Sequence, residues 1–385
     1  MEVERDLAGI AIPFTAGIGL AFLLIPLSSA STALVFAVIL SGLILLMHPV
    51  HLRMPEDSVR LSICILMTAA GILCGLTSNF LSTSRISGGV ITDFALSSGN
   101  VIGQMIDSIG FSNSDTNAVI KALLIGDRAD IPFYITEAFR ESGASHILAL
   151  SGFHLGIVYG IVTSMLSILG NRPAIRYARS FLTILLCGFY TLATGAGASI
   201  VRAFIFILLG EAARLTGRYR STASVLMAAL LIHLTIDPQS IREVGFLLSY
   251  AAMAGIAFIF PWLRSFWPEE TAIAIEGASE GNMSHKRKRT SHWSPNLLKW
   301  IWNSAAMSIS CQLTTGPLAY LYFGTFPAHF LLTNLIALPL AGLLIPFALL
   351  TVSLSALDSC PDMLLRVTET LVVALTDSLS IIAGM

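Results

Sequence analysis

Long apolar runs separated by short polar connections set the rhythm of this chain. They fall near 8–27, 31–48, 60–80, 146–169, 180–195, 199–213, 222–236, 244–263, 300–320, 328–354 and 363–384. A helix needs about 20 apolar residues to span a bilayer, so the pattern predicts an all-α, polytopic membrane protein with about eleven transmembrane helices, some short or broken. Lys and Arg in short connections resist translocation and so set orientation. Arg172, Arg176 and Arg179 mark one connection as cytoplasmic. Arg214, Arg218 and Arg220 mark the one two spans later, and Arg264 with the run KRKR at 286–289 marks the next of the series. Counting back, Arg5, Arg53 and Arg60 also fall inside. The expected layout is therefore N-terminal spans over 1–80, an extracytoplasmic amphipathic segment over 81–145, and a membrane domain over 146–385 with a cytoplasmic loop at 264–299. The N-terminus is expected in the cytoplasm and the C-terminus outside the cytoplasmic membrane.

Composition agrees with that pattern. Hydrophobic residues make up 55% of the 385, and charged residues 12%, where soluble domains carry about a quarter charged. Mean hydropathy is +0.79. A net charge of −1 gives no global basic field to attract nucleic acid or anionic lipid, so any such binding is local. The run KRKR reads as a loop between spans rather than a nucleic-acid signal. Cys64, Cys74, Cys187, Cys311 and Cys360 stand singly and read as small apolar residues. The opening MEVERDLAGIAIPF shows no cleavage site and reads as the head of a first span.

Within 81–145 the expectation is short amphipathic helices. Phe94, Val101, Met105, Ile106 and Ile109 are placed on one stripe, and Pro132 and Gly143 bracket FYITEAFRES as a helix. The next stretch, GASHILALSGFHLGIV, carries His146, Ser151 and His154 into an apolar run. Ser151-Gly152 invites a break in the helix, tolerated at membrane depth only where protein or water surrounds it. Three readings stand at this point. The imidazoles and hydroxyl can serve polar helix packing, Ser151 can be a nucleophile activated by His154 one turn on, or the histidines can hold a metal. The last suffers from eight residues of separation, about 12 Å along a helix.

Further on, GASIVRAFIFILLGEAARL holds Arg202 after a run of small residues. An arginine within a span faces a partner or a wet cavity, or snorkels to the headgroups. Glu211 pairs structurally with Arg214 in this reading. Asp237-Pro238 makes an outside turn ahead of a span with Gly245, Ser249 and Tyr250. Gln312, Pro317, His329, Asn334, Pro339 and Pro346 lie in two neighbouring runs, where prolines interrupt the backbone ladder in the way typical of transport sites.

Taken together these stretches resemble the ComEC-type competence proteins, inner-membrane channels for DNA uptake in natural transformation. ALLIGDR resembles the family's Leu-Gly-Asp motif through Gly126 and Asp127. SGASHILALSGFHLGIV resembles its His-hydrophobic-Ser-Gly-x-His signature through Gly143, His146, Ser151, Gly152 and His154. GASIVRA, DPQSIREVGFLLSY and the series Gln312, Pro317, Phe323, Asn334, Pro339 follow in order, over roughly residues 120–355. Leu247 stands where the family usually has Gln. Full-length members also carry an oligonucleotide-binding-like domain and a metallo-β-lactamase-like hydrolase domain. Neither is expected here, since 81–145 is short and no H-x-H-x-D-H stretch occurs.

The resemblance implies a channel that passes single-stranded DNA into the cytoplasm, without enzymatic activity, cofactor or metal. Membrane lipid, a separate nuclease, a DNA-receptor protein and a cytoplasmic translocase are the implied partners, and self-assembly stays open. Arg202 could meet phosphates. His146, Ser151, Gly152, His154, Ser249, Gln312 and Asn334 line the path or hold helices together, and Gly126, Asp127, Gly143, Gly245, Pro317 and Pro339 are structural. Asp127 is assigned to capping or to pairing with Arg128 or Arg140. An intramembrane hydrolase using Ser151 and His154, and a small-solute permease, are the competing functions.

Overall fold

A computed structural model describes residues 2–24, 56–81, 90–170, 172–217, 221–266, 294–324 and 329–384. The expected run at 31–48, Arg53, Arg218, Arg220 and the KRKR loop lie outside the described residues. Among the described residues every regular element is helical.

Two long helices, α1 (Glu2–Leu24) and α2 (Glu56–Leu81), pair through glycines. Gly17 lies against the Thr68 carbonyl and Gly71 against the Phe14 carbonyl, while a Cβ on Gly75 would sit 2.7 Å from that of Ala21. Small residues that let backbones touch are how helices associate where lipid removes the hydrophobic driving force. Phe14 and Ile18 of α1 then pack on Leu226 and Leu234, in the helix described below as α10.

Next come α3 (Val90–Asp107), α4 (Ser114–Ile125), α5 (Phe133–Glu141) and the single turn α6 (Ser145–Leu148). Asn113 caps α4 by accepting from the Asp115 N–H at 2.9 Å, and Gly126, with φ of 80°, closes it. Pro132 and Gly143 bound α5 as expected. The stripe on α3 is corrected: Val101 and Met105 are exposed, and the buried face runs through Ile102, Ile106 and Ile109. Val101 and Met105 are also four residues apart, but at about 100° per residue they lie roughly a quarter turn round the helix from that face. Lys121 of α4 is buried and bridges Asp107, at 2.8 Å, and Asp130. Desolvation alone would depress its pKa; the hydrogen bonds to the two carboxylates outweigh it, and the net shift is upward.

The remaining helices are α7 (Gly152–Ser167), α8 (Pro173–Ala193), α9 (Ala198–Leu215), α10 (Thr222–Ile236), α11 (Val244–Ala254), α12 (Phe260–Arg264), α13 (Ser294–Phe323), α14 (Phe330–Ser355) and α15 (Asp362–Ala383). A π-helical turn, Gly255–Ile259, joins α11 to α12 without a break. The largest core joins Ile106, the buried face of α4, Phe139, Ile147 and Leu148 to Leu344 and Ile345 of α14 and Leu375 and Leu379 of α15. Asn113 ties this assembly to α15 by donating its N–H to Glu369 at 2.8 Å.

Four of the described helices are long and apolar enough to cross a membrane by length and composition: Arg5–Leu23, Arg60–Ser78, Val244–Arg264 and Phe330–Ser355. That is fewer than the eleven expected. Gly152–Ser167 and Thr222–Ile236 are apolar but short, and α9 carries Arg202, Glu211 and Arg214. The prolines do not break α13 or α14, which run through Pro317, Pro339 and Pro346. Each only removes the ladder bond to the carbonyl four residues back.

Candidate functional site

The expected break is present. Gly143, with φ of 82°, turns the chain out of α5, α6 lasts one turn, and Ala149 and Ser151 are extended before α7 starts at Gly152. Ser151 stands at the head of α7, and His154 folds back onto it. The His154 Nδ1 accepts the Ser151 N–H at 3.3 Å and lies 3.2 Å from its Oγ. With Nδ1 an acceptor, the ring hydrogen sits on Nε2, which is enclosed and has no partner among the described residues. His154 is wholly buried. His146 lies at the rim, exposed, its Nδ1 donating to the Gly143 carbonyl at 3.1 Å.

Four other elements close on this break. Gly126 lies against Leu150, where a Cβ would come within 3.0 Å of Cγ, so the Gly-Asp stretch and the Ser-Gly-x-His stretch meet in space. Tyr190 of α8 donates to the Leu124 carbonyl at 2.9 Å. Gly152 rests on Ala203 of α9, with a built Cβ 3.3 Å from the Ala203 Cβ. Thr333 of α14 donates to the Ser142 carbonyl at 2.7 Å. Asp127 accepts from the Ala129 N–H at 3.0 Å and so caps its own turn, while Arg140 is taken by Glu137 rather than by Asp127.

Arg202 does not snorkel. It is 2% exposed, its Nη2 donates to the Gly245 carbonyl at 2.8 Å, and its Cζ lies 5.8 Å from the Phe246 ring centre. His233 stacks edge-on to the same ring at 5.1 Å and faces the Tyr250 hydroxyl at 3.4 Å. Nine residues along α9, Glu211 is wholly buried. It accepts from Tyr159 of α7 at 2.7 Å and Ser180 of α8 at 2.6 Å, and pairs with Arg214 as expected. Sequence reasoning missed Tyr159, Ser180, His233 and Thr333, none of which stands in a motif.

The other candidates lie elsewhere. Gln312 and Pro317 line an apolar groove of about 440 Å³ with Leu313, Tyr320 and Phe330. Asn334, on α14, has an enclosed Oδ1 without a partner among the described residues. Ser249 is half-buried on α11, and Pro339 sits within α14. Among the described residues no group of three or more His, Cys, Asp or Glu is placed to hold a metal ion.

The Gly-Asp turn and the Ser-Gly-x-His break also open the part of the chain that a family model covers. The model described as "Competence protein" matches residues 123–385, from inside α4 through α15. The chain belongs to the competence protein family. The match extends beyond the 120–355 expected from motifs, taking in α15, which shares the main core. ComE operon protein 3 of Bacillus subtilis (strain 168) is 30% identical over 174 residues, 43% of this chain and 22% of that protein. The uncharacterized protein YcaI of Escherichia coli (strain K12) is 29% identical over 151 residues, 38% of this chain and 20% of that protein. The matched stretches thus span about a fifth of either relative. No solved structure matches the chain.

Proposed function

We propose that this competence-family chain forms an inner-membrane path that carries single-stranded DNA into the cytoplasm during natural transformation, with the multi-pass topology read from its basic loops. The observation that carries the reading is the backbone break at residues 149–151. It is enclosed by α4, α8, α9 and α14 and holds a wholly buried histidine. Irregular backbone belongs where it lines a protein-walled cavity, and a polyanion's path needs charge contacts plus sequence-indifferent surfaces. Membrane lipid, a separate nuclease, a DNA-receptor protein and a cytoplasmic translocase are the proposed partners, and other copies of the chain a further one.

We read the Ser151–His154 pair as a cap without enzymatic chemistry. Two features support this: the Ser151 N–H already occupies the histidine's Nδ1, and among the described residues no group hydrogen-bonds the ring's Nε2. Ser151→Ala removes a hydroxyl and costs about 1 kcal/mol as a cap, while His154 keeps its backbone donor. Most DNA uptake is then expected to survive. Gly152→Leu drives a side chain into Ala203 and is expected to abolish it. Internalised labelled single strands, measured in cells matched for membrane protein, check both. A folded but inactive Ser151→Ala protein that a serine-directed probe labels in its wild-type form would establish the hydrolase instead. Solute uptake independent of DNA would establish the permease.

Orientation has its own test. With 81–145 and the C-terminus outside and 264–299 inside, a single cysteine placed at Ser284 should resist an impermeant thiol reagent in intact cells and react in inverted vesicles. Labelling of intact cells would reverse the assignment.

A further inference from the structure

Arg202 ends on the first turn of α11, where the acidic residue at the turn, Glu243, is exposed and forms no ion pair with it. Helix α11 starts at Val244, with Glu243 at its N-cap position making no side-chain cap. Its first i to i−4 bond is Leu247 N–H to the Glu243 carbonyl. The N–H groups of Val244, Gly245 and Phe246 are thus left at the positive end of the helix dipole. Beside them the Arg202 guanidinium holds the Gly245 carbonyl through Nη2, while Nε and Nη1 are enclosed without a partner and no carboxylate pairs with it among the described residues. A second basic side chain, His233, is buried edge-on to the same Phe246 ring.

An unpaired cation in an apolar core costs several kcal/mol, and here it adds to a helix N-terminus of the same sign. Two carboxylates stand near. Asp237 is committed to the Gln239 N–H and the Ser240 hydroxyl, and Glu243 is exposed. Gly245 itself is exposed, and a Cβ built on it meets nothing within 4 Å. The turn is thus open to solvent at Gly245, whose carbonyl holds the enclosed guanidinium.

We propose that the first turn of α11 and Arg202 form a seat for one phosphodiester oxyanion of the translocating strand. An oxyanion arriving over Gly245 competes with a neutral carbonyl for the guanidinium. Charge-assisted, bidentate pairs are about twice as strong as neutral ones, so Arg202 transfers from the carbonyl to the phosphate. Helix N–H groups complete the shell, and one seat of this kind reads no base. The strand as occupant rests on the DNA reading above; the anion seat does not.

The full chain in phosphate-free detergent, probed with inorganic pyrophosphate and with a short fluorescein-labelled oligothymidylate, tests the seat. In the wild type pyrophosphate should raise Tm, and the oligonucleotide should bind with a salt-dependent affinity. Arg202→Gln should abolish the pyrophosphate shift, weaken oligonucleotide binding about tenfold and lower the salt slope by about one. Gly245→Val puts a side chain into open space, so it keeps the fold even where Arg202→Gln loses it, and should do the same by occlusion. Glu243→Gln should tighten binding of both probes. Oligonucleotide binding whose salt slope neither Arg202→Gln nor Gly245→Val changes overturns the seat and leaves the DNA reading standing. Arg202-dependent pyrophosphate binding with no oligonucleotide binding overturns the strand as occupant, and the DNA reading with it.

Discussion

Gly71→Leu is expected to part α1 from α2 and to cost on the order of 3 kcal/mol or more, at the upper end of what overpacking does. At this position the clash has nowhere to go. A Cβ on Gly71 falls on the Phe14 carbonyl, with the carbonyl carbon 2.9 Å away and the Ile18 nitrogen 3.1 Å away. These are backbone atoms of a facing helix, not the end of a side chain that can change rotamer. Ile18 is fully buried and belongs to the core that also holds Leu226, Phe246 and Tyr250, so displacing α1 loosens the helices around Arg202 too. Gly19→Leu, only two residues from Gly17 but with nothing within 4 Å, is the matched control and should leave Tm nearly unchanged. Thermal unfolding of both proteins in the same detergent decides the matter; equal Tm values would show that the glycine pairing does not hold the two helices.

Glu211→Ala should be nearly as damaging. Removing one partner of a buried pair costs about 3–5 kcal/mol, but the Arg214 side chain is 41% exposed and keeps water as a partner, so the low end of that range is expected. Here three groups lose their acceptor at once: Tyr159, Ser180 and Arg214, from α7, α8 and α9. Glu211→Gln keeps an acceptor for Tyr159 but sets an amide against the guanidinium, so an intermediate loss is expected. Arg214→Ala, which strands the carboxylate with two hydroxyl donors, should fall between Gln and Ala. Tm of the purified variants gives the order, and a Glu211→Ala protein as stable as the wild type would remove the carboxylate from its place as the clasp of three helices.

Much of the break was legible because its signals are local. Gly143 and Gly126 take positive φ where glycine has no steric cost, and Ser151 followed by His154 is the spacing of a residue that caps and one that folds back on it. The partners were not legible. Glu211 finds Tyr159 and Ser180 from 52 and 31 residues away, and Arg202 ends on a backbone carbonyl, which leaves no trace in side-chain chemistry. Gly71 and Gly75 have the spacing of a close helix contact, yet nothing in the sequence names Phe14 and Ala21 as what they touch. Four of the expected spans stand out among the described helices by length and composition; hydropathy alone does not distinguish a helix bathed in lipid from one like α9, whose charged groups are bonded to other helices.

The π-helical turn at Gly255–Ile259 carries its own implication. Every residue added to a helix advances its side chains by about 100°, and a π turn inserts one residue more than the α pattern holds. The span from Val244 to Arg264 therefore keeps two angular phases. Ahead of the turn Phe246 and Tyr250 point at Arg202 and His233. At the turn Gly255 lies flush against the Ser310 carbonyl while Phe258 looks outward, and beyond it Trp262 looks outward too. Length at this point is orientation: one residue fewer would leave the helix about as long and send its second half round by more than a quarter of a circle, away from α13.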